Sequence, residues 1–302
     1  MPKPVIRFHL GAHKTATTYI QSRLRRNRSR LARHGIHFVD LWANEKTARR
    51  MRGWIRQVAW ENRNGNRKKL VTALRDLVEQ LPNGLEANNR KSIILSYENI
   101  LGTYNLAQTP RLYDELERGL SILDEAFGID NMEFFFSYRS MDRFIESCYL
   151  QCIHTQKETR HFDEWFADID INALSWLDVL TRLSQSIGKE RLSIWPYDAF
   201  RDRETAIWQA LLGRERPNEL LIRNASNLNP SLTKEAVECL RVANGLFKGT
   251  DARNLSRFLK ENLSPDKGYS PARYLDEEQR DSIVRITAFD TGKLEKLASP
   301  LG

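Results

Sequence analysis

With 302 residues, 28% of them charged and 41% apolar, the chain is long enough to bury a full core and has an ordinary globular composition. No apolar run approaches membrane-spanning length, which argues against stable membrane insertion, and three cysteines (Cys148, Cys152, Cys239) are too few and too oddly counted for a disulfide framework. The net charge of +8 suits an anionic cofactor, an acidic glycan or nucleic acid, with solvated helix faces as the plain alternative.

In chain order, an apolar run from Val5 to Leu10 meets Gly11, and His13-Lys14-Thr15-Ala16-Thr17-Thr18 leads into the amphipathic stretch Tyr19, Ile20, Leu24. This pattern predicts a strand, a phosphate-cradling loop and a helix start. Gly11 permits a tight turn, and the amides from His13 to Thr18 can converge on an anion. Lys14 and the threonine hydroxyls add charge and donors. The nucleotide-kinase loop needs a second glycine directly before Lys-Ser/Thr, whereas here the lysine comes three residues after the only glycine.

Residues 17–34 read as one helix or a kinked pair stopped by Gly35, and 36–39 as a short strand. Helices are expected over 43–60 and 66–81, the second broken by Pro82-Asn83-Gly84. Ser92 to Tyr97 is a buried strand ending at Glu98. Leu112, Leu116, Leu120, Leu123 and Phe127 predict a helix near 110–127. Met132 to Tyr138 is the next strand; it meets Arg139, and 141–154 returns to helix. A helical segment with Phe162, Trp165 and Phe166 and a helix near 173–187 precede a fifth strand, Leu192 to Trp195. Residues 214–229 are polar and form the best linker candidate. Helices over 231–248, 251–262 and 276–298 follow, the last two separated by a loop at 264–271.

Strands alternating with helices predict an α/β fold: a three-layer sandwich around a parallel sheet of about five strands, P-loop-like in type. A single domain is expected, with an α/β core of about 1–213 and a helical C-terminal portion of about 230–302. Ligands of such sheets bind at the carboxyl ends of strands. That gathers the 11–18 loop, Glu98 and Arg139 on one rim.

The stretch His9-Leu10-Gly11-Ala12-His13-Lys14-Thr15-Ala16-Thr17-Thr18 resembles the 5′-phosphosulfate loop of sulfotransferases that use 3′-phosphoadenosine 5′-phosphosulfate. It is most similar to the bacterial branch, with its Gly-x-His-Lys-Thr-Gly-Thr-Thr pattern. Ala16 replaces the family's second glycine: if that position needs a positive φ, alanine is strained and cofactor binding suffers, and if it lies in the first turn of the helix, which is the favoured expectation, alanine is harmless. The family's 3′-phosphate site pairs an arginine at a strand end with a serine eight residues later. Arg139 and Ser147 have that separation, and Asp142 and Tyr149 also fit the bacterial branch. A surface ion pair with Asp142 is the plain alternative for Arg139. Lys267-Gly268-Tyr269-Ser270-Pro271 is a weaker match to a loop that closes over the adenosine 3′-phosphate, with Ser270 and Arg273 as reserves.

The resemblance implies in-line transfer of a sulfuryl group to an acceptor hydroxyl without a metal. Gly11, Ala12, His13, Lys14, Thr15, Ala16, Thr17, Thr18, Arg139, Ser147, Lys267, Gly268 and Tyr269 would hold the cofactor. Lys14 would stabilise the leaving oxygen. Glu98 is the candidate base, with His13 and His154 as alternatives and a helix-start carboxylate as its plain reading. The implied acceptor is a carbohydrate or glycolipid rather than nucleic acid. With no apolar leader after Met1-Pro2-Lys3-Pro4, a cytoplasmic, bacterial enzyme is expected. Trp54, Trp60, Trp165 and Trp176 could line an acceptor cleft or lie in the core. Two other readings stay open: a P-loop kinase-like phosphotransferase using Asp198, and a non-catalytic basic module binding polyanions through 17–34 and 49–69.

Overall fold

The structure is a computed structural model, which describes residues 5–42, 46–57, 64–79, 92–215, 217–225, 232–247, 249–288 and 291–301. Six strands form one parallel sheet in the order β2-β3-β1-β4-β5-β6. They are β1 (Val5–His9), β2 (Ile36–Val39), β3 (Ser92–Ser96), β4 (Met132–Tyr138), β5 (Leu192–Pro196) and β6 (Ser299–Pro300). The first five match the expected strands. The sixth adds an edge: Ser299 and Pro300 pair with Ser193 and Ile194, too short a piece to carry any periodicity.

The helices are α1 (Thr17–Arg26), α2 (Arg28–Arg33), α3 (Lys46–Ile55), α4 (Arg67–Glu79), α5 (Leu116–Phe127), α6 (Met141–Gln151) and α7 (Phe162–Phe166). After them come α8 (Trp176–Ile187), α9 (Phe200–Leu212), α10 (Pro217–Leu220), α11 (Lys234–Leu246), α12 (Gly249–Asn262), α13 (Glu277–Thr287) and α14 (Thr291–Leu297). Expectations over 43–45, 58–63 and 80–91 lie outside the described residues.

The strands are apolar on both sides because helices cover both. Ile94, Phe135 and Trp195 point to one face, where they pack with Ile20 and Leu24 of α1, Leu31 of α2 and Ile207, Trp208 and Leu211 of α9. Ile6, Phe8, Phe134, Phe136 and Ile194 point to the other, which α3 to α8 and α11 to α14 cover. The C-terminal helices therefore share one core with the sheet. This is the three-layer arrangement that the alternation predicts.

Several boundaries differ from the sequence reading. The expected linker at 214–229 contains α10, and Leu220 and Leu221 are buried, so two leucines anchor this polar run to the core. The helix expected over 276–298 divides into α13 and α14 before the chain joins the sheet. The 17–34 helix is a pair hinged at Asn27, whose side chain donates to the Arg23 carbonyl at 2.8 Å. α9 is an addition to the expected elements, and α6 runs on into a π-helical turn over Cys152–Gln156. No helix among the described residues is long and apolar enough to cross a membrane.

Candidate active site

The sheet places its most adaptable rim beside β1. The helix after β1 covers one face, while β3 and β4 on either side send their connections to the other, which makes the end of β1 a switch point of the sheet. The 11–18 loop lies at this switch point. Its start is bonded to β4: the Leu10 and Ala12 amides donate to the carbonyls of Phe135 and Ser137 at 2.9 Å. Gly11 has φ +51°, and a Cβ there would stand 2.6 Å from Thr17 Cγ2, so conformation and close approach both require glycine.

Beyond Gly11 the backbone turns into a concave nest. Lys14 (φ 65°) and Ala16 (φ 63°, ψ 17°) are both left-handed, with Thr15 between them. This corrects the expectation for Ala16. It is the residue that caps α1, outside the first turn, in a conformation that disfavours a Cβ. Its side chain cannot cap the helix, and the first turn of α1 holds no acidic residue. The amides at the positive end of this ten-residue helix thus receive no cap from the Ala16 side chain and no acidic partner in the first turn.

Two expected donors are used within the protein instead. The His13 amide donates to Tyr113 Oη at 2.9 Å. The Thr15 hydroxyl is buried, donating to the Ala12 carbonyl and meeting Ser137 Oγ, each at 2.6 Å. Both tie the loop to the wall behind it, leaving Lys14 and Thr18 as its exposed residues. Thr17 is buried and Thr18 is exposed.

Arg139 leaves the end of β4 toward the same loop. Its guanidinium donates to Ser147 Oγ at 2.9 Å and to the Lys14 carbonyl at 3.3 Å, and lies 4.9 Å from the centre of the Tyr197 ring. Its Nε is buried with no partner. Asp142 makes no ion pair with it, so the plain reading of Arg139 fails; Asp198, in turn, is paired with Arg143 at 3.3 Å. Burial lowers the Arg139 pKa, and Arg143 and Arg273 push the same way.

The Lys14 ammonium donates to Gln151 Oε1 at 3.2 Å, just before the π-helical turn. Its side chain is accessible, yet the protein atoms crowded around it lower its pKa; Arg139 adds to this and Glu98 opposes it. Glu98 starts a short 3₁₀ turn after β3, half-buried, and accepts from Gln21 Nε2 at 3.3 Å. Burial raises its pKa against the hydrogen bonds from Gln21 and Trp42 and the charge of Lys14.

His13 sits behind Lys14 with both ring nitrogens engaged. Nε2 meets Asn99 Oδ1 at 2.5 Å, which makes it the protonated nitrogen, while Nδ1 accepts from Tyr113 Oη at 3.2 Å. Burial drives its pKa down to about 4, with Lys14 adding to the effect. Its ring can take an acceptor proton only by losing one of these bonds. His154, in the π-helical turn, is likewise held down to about 4, by burial and then by Lys260, Lys14 and Lys157.

The 267–269 loop has its contacts elsewhere. Lys267 Nζ donates to Asn262 at 3.3 Å, the Gly268 amide donates to the Pro265 carbonyl, and Gly268 (φ +88°) stands in open space. Of the tryptophans named above, Trp165 and Trp176 are core residues, Trp54 is half-buried against the core, and Trp60 lies outside the described residues. The exposed one beside the site is Trp42, 38% accessible, bonded to Glu98 and 5.4 Å from the Tyr97 ring. A lone tryptophan after a short strand gives no periodic signal, and only the fold brings it to Glu98. The basic tracts are partly structural: Arg23 pairs with Glu204 at 2.6 Å, Arg25 with Asp40 at 2.5 Å and Arg67 with Glu125 at 2.7 Å.

No family model matches the chain, and no curated protein matches it. Solved structures similar to it include a sulfotransferase from Alicyclobacillus acidocaldarius, 10% identical, covering 97% of this chain and 100% of that one with a TM-score of 0.43. Another is a retinol dehydratase in complex with androsterone and the inactive cofactor PAP, 11% identical, covering 98% of this chain and 80% of that one with a TM-score of 0.33. At such identities and scores neither likeness bears on what the chain does. Two groups of anion-binding type thus lie side by side: the nest with the start of α1, and Arg139 with Ser147, where the buried Arg139 Nε has no acceptor.

Proposed function

We propose that the chain is a sulfotransferase that binds 3′-phosphoadenosine 5′-phosphosulfate and passes its sulfuryl group to an acceptor hydroxyl. One observation carries the reading: Arg139 bonds both Ser147 and the Lys14 carbonyl, so the two expected anion sites form one connected surface at the end of the central strands. The donor would supply an activated sulfuryl group. Lys14 and the amides opening α1 would hold its 5′ end, and Arg139 with Ser147 its 3′-phosphate. Lys14 is poised to balance negative charge on the leaving oxygen.

Glu98 is the base in this reading. It feels the Lys14 charge, and its raised pKa brings it nearer to working pH than an ordinary carboxylate. His13 holds the loop in place through Asn99 and Tyr113. We take the acceptor to be a carbohydrate or glycolipid hydroxyl, since the exposed Trp42 ring next to Glu98 offers an apolar platform for a sugar. No metal has a part in this chemistry, and a cytoplasmic setting fits it.

The test is calorimetric titration of adenosine 3′,5′-bisphosphate, without metal, into the wild type, Lys14→Ala and Arg139→Ala. Micromolar binding by the wild type, weakened at least tenfold in both variants, is expected. A folded wild type that ignores the bisphosphate sinks the reading.

A further inference from the structure

Where β1 and β3 end, three polar side chains lie buried: His9, Ser96 and Gln21 are each 4% exposed or less. The register of the sheet sets His9 beside Ser96, and Gln21 reaches them from α1, where it sits between the core residues Ile20 and Leu24. His9 Nδ1 lies 2.9 Å from Ser96 Oγ. The side-chain nitrogen of Gln21 donates to Ser96 Oγ at 3.1 Å and to Glu98 Oε2 at 3.3 Å. An amide nitrogen carries two hydrogens and accepts nothing, so both donors of Gln21 are spent, one on a hydroxyl and one on a carboxylate. Losing either bond would strand a buried donor, which holds the amide in this setting.

The far end of this row is neutral. Burial drives His9 down to about 3, and its ring stacks on Trp195 at 6.0 Å. His9 thus braces Ser96 without adding a charge, which leaves Glu98 as the ionisable end of the row. The titratable groups around Glu98 are Lys14, Tyr97 and Tyr113. Burial pushes both phenols up, so they stay neutral while a carboxylate titrates, and Lys14 is the charge that Glu98 feels. Gln21 stands one turn into α1, so the helix that begins at the nest also holds the proposed base.

We propose that Gln21 is a positioning residue: braced by Ser96 and His9, its side-chain amide clamps one oxygen of the Glu98 carboxylate and holds the proposed base in one orientation. This rests on the reading of Glu98 as the base. The clamp also favours the ionised carboxylate, against the burial that raises its pKa.

The experiment follows the Glu98 carboxyl carbon against pH by carbon NMR, in protein labelled at its glutamate carboxyls, with Glu98→Gln identifying the signal. Gln21→Met keeps the length and packing of the side chain and removes both donors. In it Glu98 should become an about three- to tenfold weaker acid, titrating at higher pH. Ser96→Ala removes the brace and should move Glu98 the same way by a smaller factor, and the double variant should titrate like Gln21→Met. The affinity of Gln21→Met for adenosine 3′,5′-bisphosphate, read by calorimetry, should stay within about threefold of wild type, because Gln21 lies outside the anion-binding groups. An unchanged Glu98 in Gln21→Met or additive effects of the two substitutions would each overturn the proposal. A larger loss of bisphosphate affinity would overturn it too, by making Gln21 a prop for the loop. If Gln21→Met does not fold, Ser96→Ala decides alone: an upward shift upholds the clamp and no shift overturns it. If the wild type ignores the bisphosphate, the sulfotransferase reading fails by itself, and the carboxyl titration, which needs no ligand, still decides the clamp.

Discussion

Arg139 donates a hydrogen bond to the backbone carbonyl of Lys14 at 3.3 Å, so the end of β4 is tied to the loop that follows β1. The same guanidinium holds Ser147 at 2.9 Å. One side chain thus spans both halves of the proposed anion surface, and its removal should be felt at each. Arg139→Ala should cost about 1.5–3 kcal/mol of bisphosphate binding, the usual worth of a charge-assisted bond, and Arg139→Lys should recover little because an ammonium lacks the fork. Titration calorimetry on the two variants measures this, and full recovery by lysine would mean that charge alone matters.

Glu98 gives a prediction in which rate and binding part company. As the proposed base, it would have to be ionised to act, and burial raises its pKa. Activity should therefore fall as pH drops through that raised value. Glu98→Gln should lower kcat by about a hundredfold or more and abolish that acid limb, while bisphosphate affinity stays within about threefold. If kcat survives in Glu98→Gln, the proton leaves by another route.

The elements of the sheet were legible because each buried strand is a short apolar run bounded by a turn signal, as in Ile36 to Val39 or Met132 to Tyr138. Arg139 and Ser147 could be paired from spacing because a strand end and the helix after it keep fixed geometry. What spacing could not carry was anything set by distant chain. Trp42 reaches Glu98 and Tyr113 occupies the His13 amide, both through contacts between residues far apart in the chain. For Ala16 the sequence offered two conformations and the wrong one was favoured: alanine is a good helix former, so its propensity pointed into α1, and the loop's closure overrode it.

Two buried histidines predict how stability responds to acid. Burial lowers His9 to about 3 and His13 to about 4 from an ordinary 6.5. Between 6.5 and those values the unfolded chain binds protons that the folded chain refuses, so stability is fully present above 6.5 and is lost as pH falls. For His13 the loss by pH 4 is about 3 kcal/mol. Urea unfolding at pH 7 and pH 4.5 should show the drop, and His13→Gln should shrink it by about 2 kcal/mol. An unchanged pH dependence in that variant would place the protonation elsewhere.

Ala16 offers a substitution expected to improve the protein. At φ 63° and ψ 17° a Cβ costs about 1–2 kcal/mol relative to glycine, and alanine is also a poor helix cap. Glycine gives back about 0.5–1 kcal/mol because it is freer in the unfolded chain. The difference leaves Ala16→Gly more stable by roughly 0.5–1 kcal/mol, or about 2 °C in Tm. The nest amides keep their positions, so bisphosphate affinity should hold or rise. Calorimetric melting with and without the bisphosphate checks both parts. A lower Tm would mean that the alanine methyl makes contacts worth more than the strain it carries, and weaker binding would mean that those contacts, rather than the backbone alone, hold the loop in its anion-binding shape.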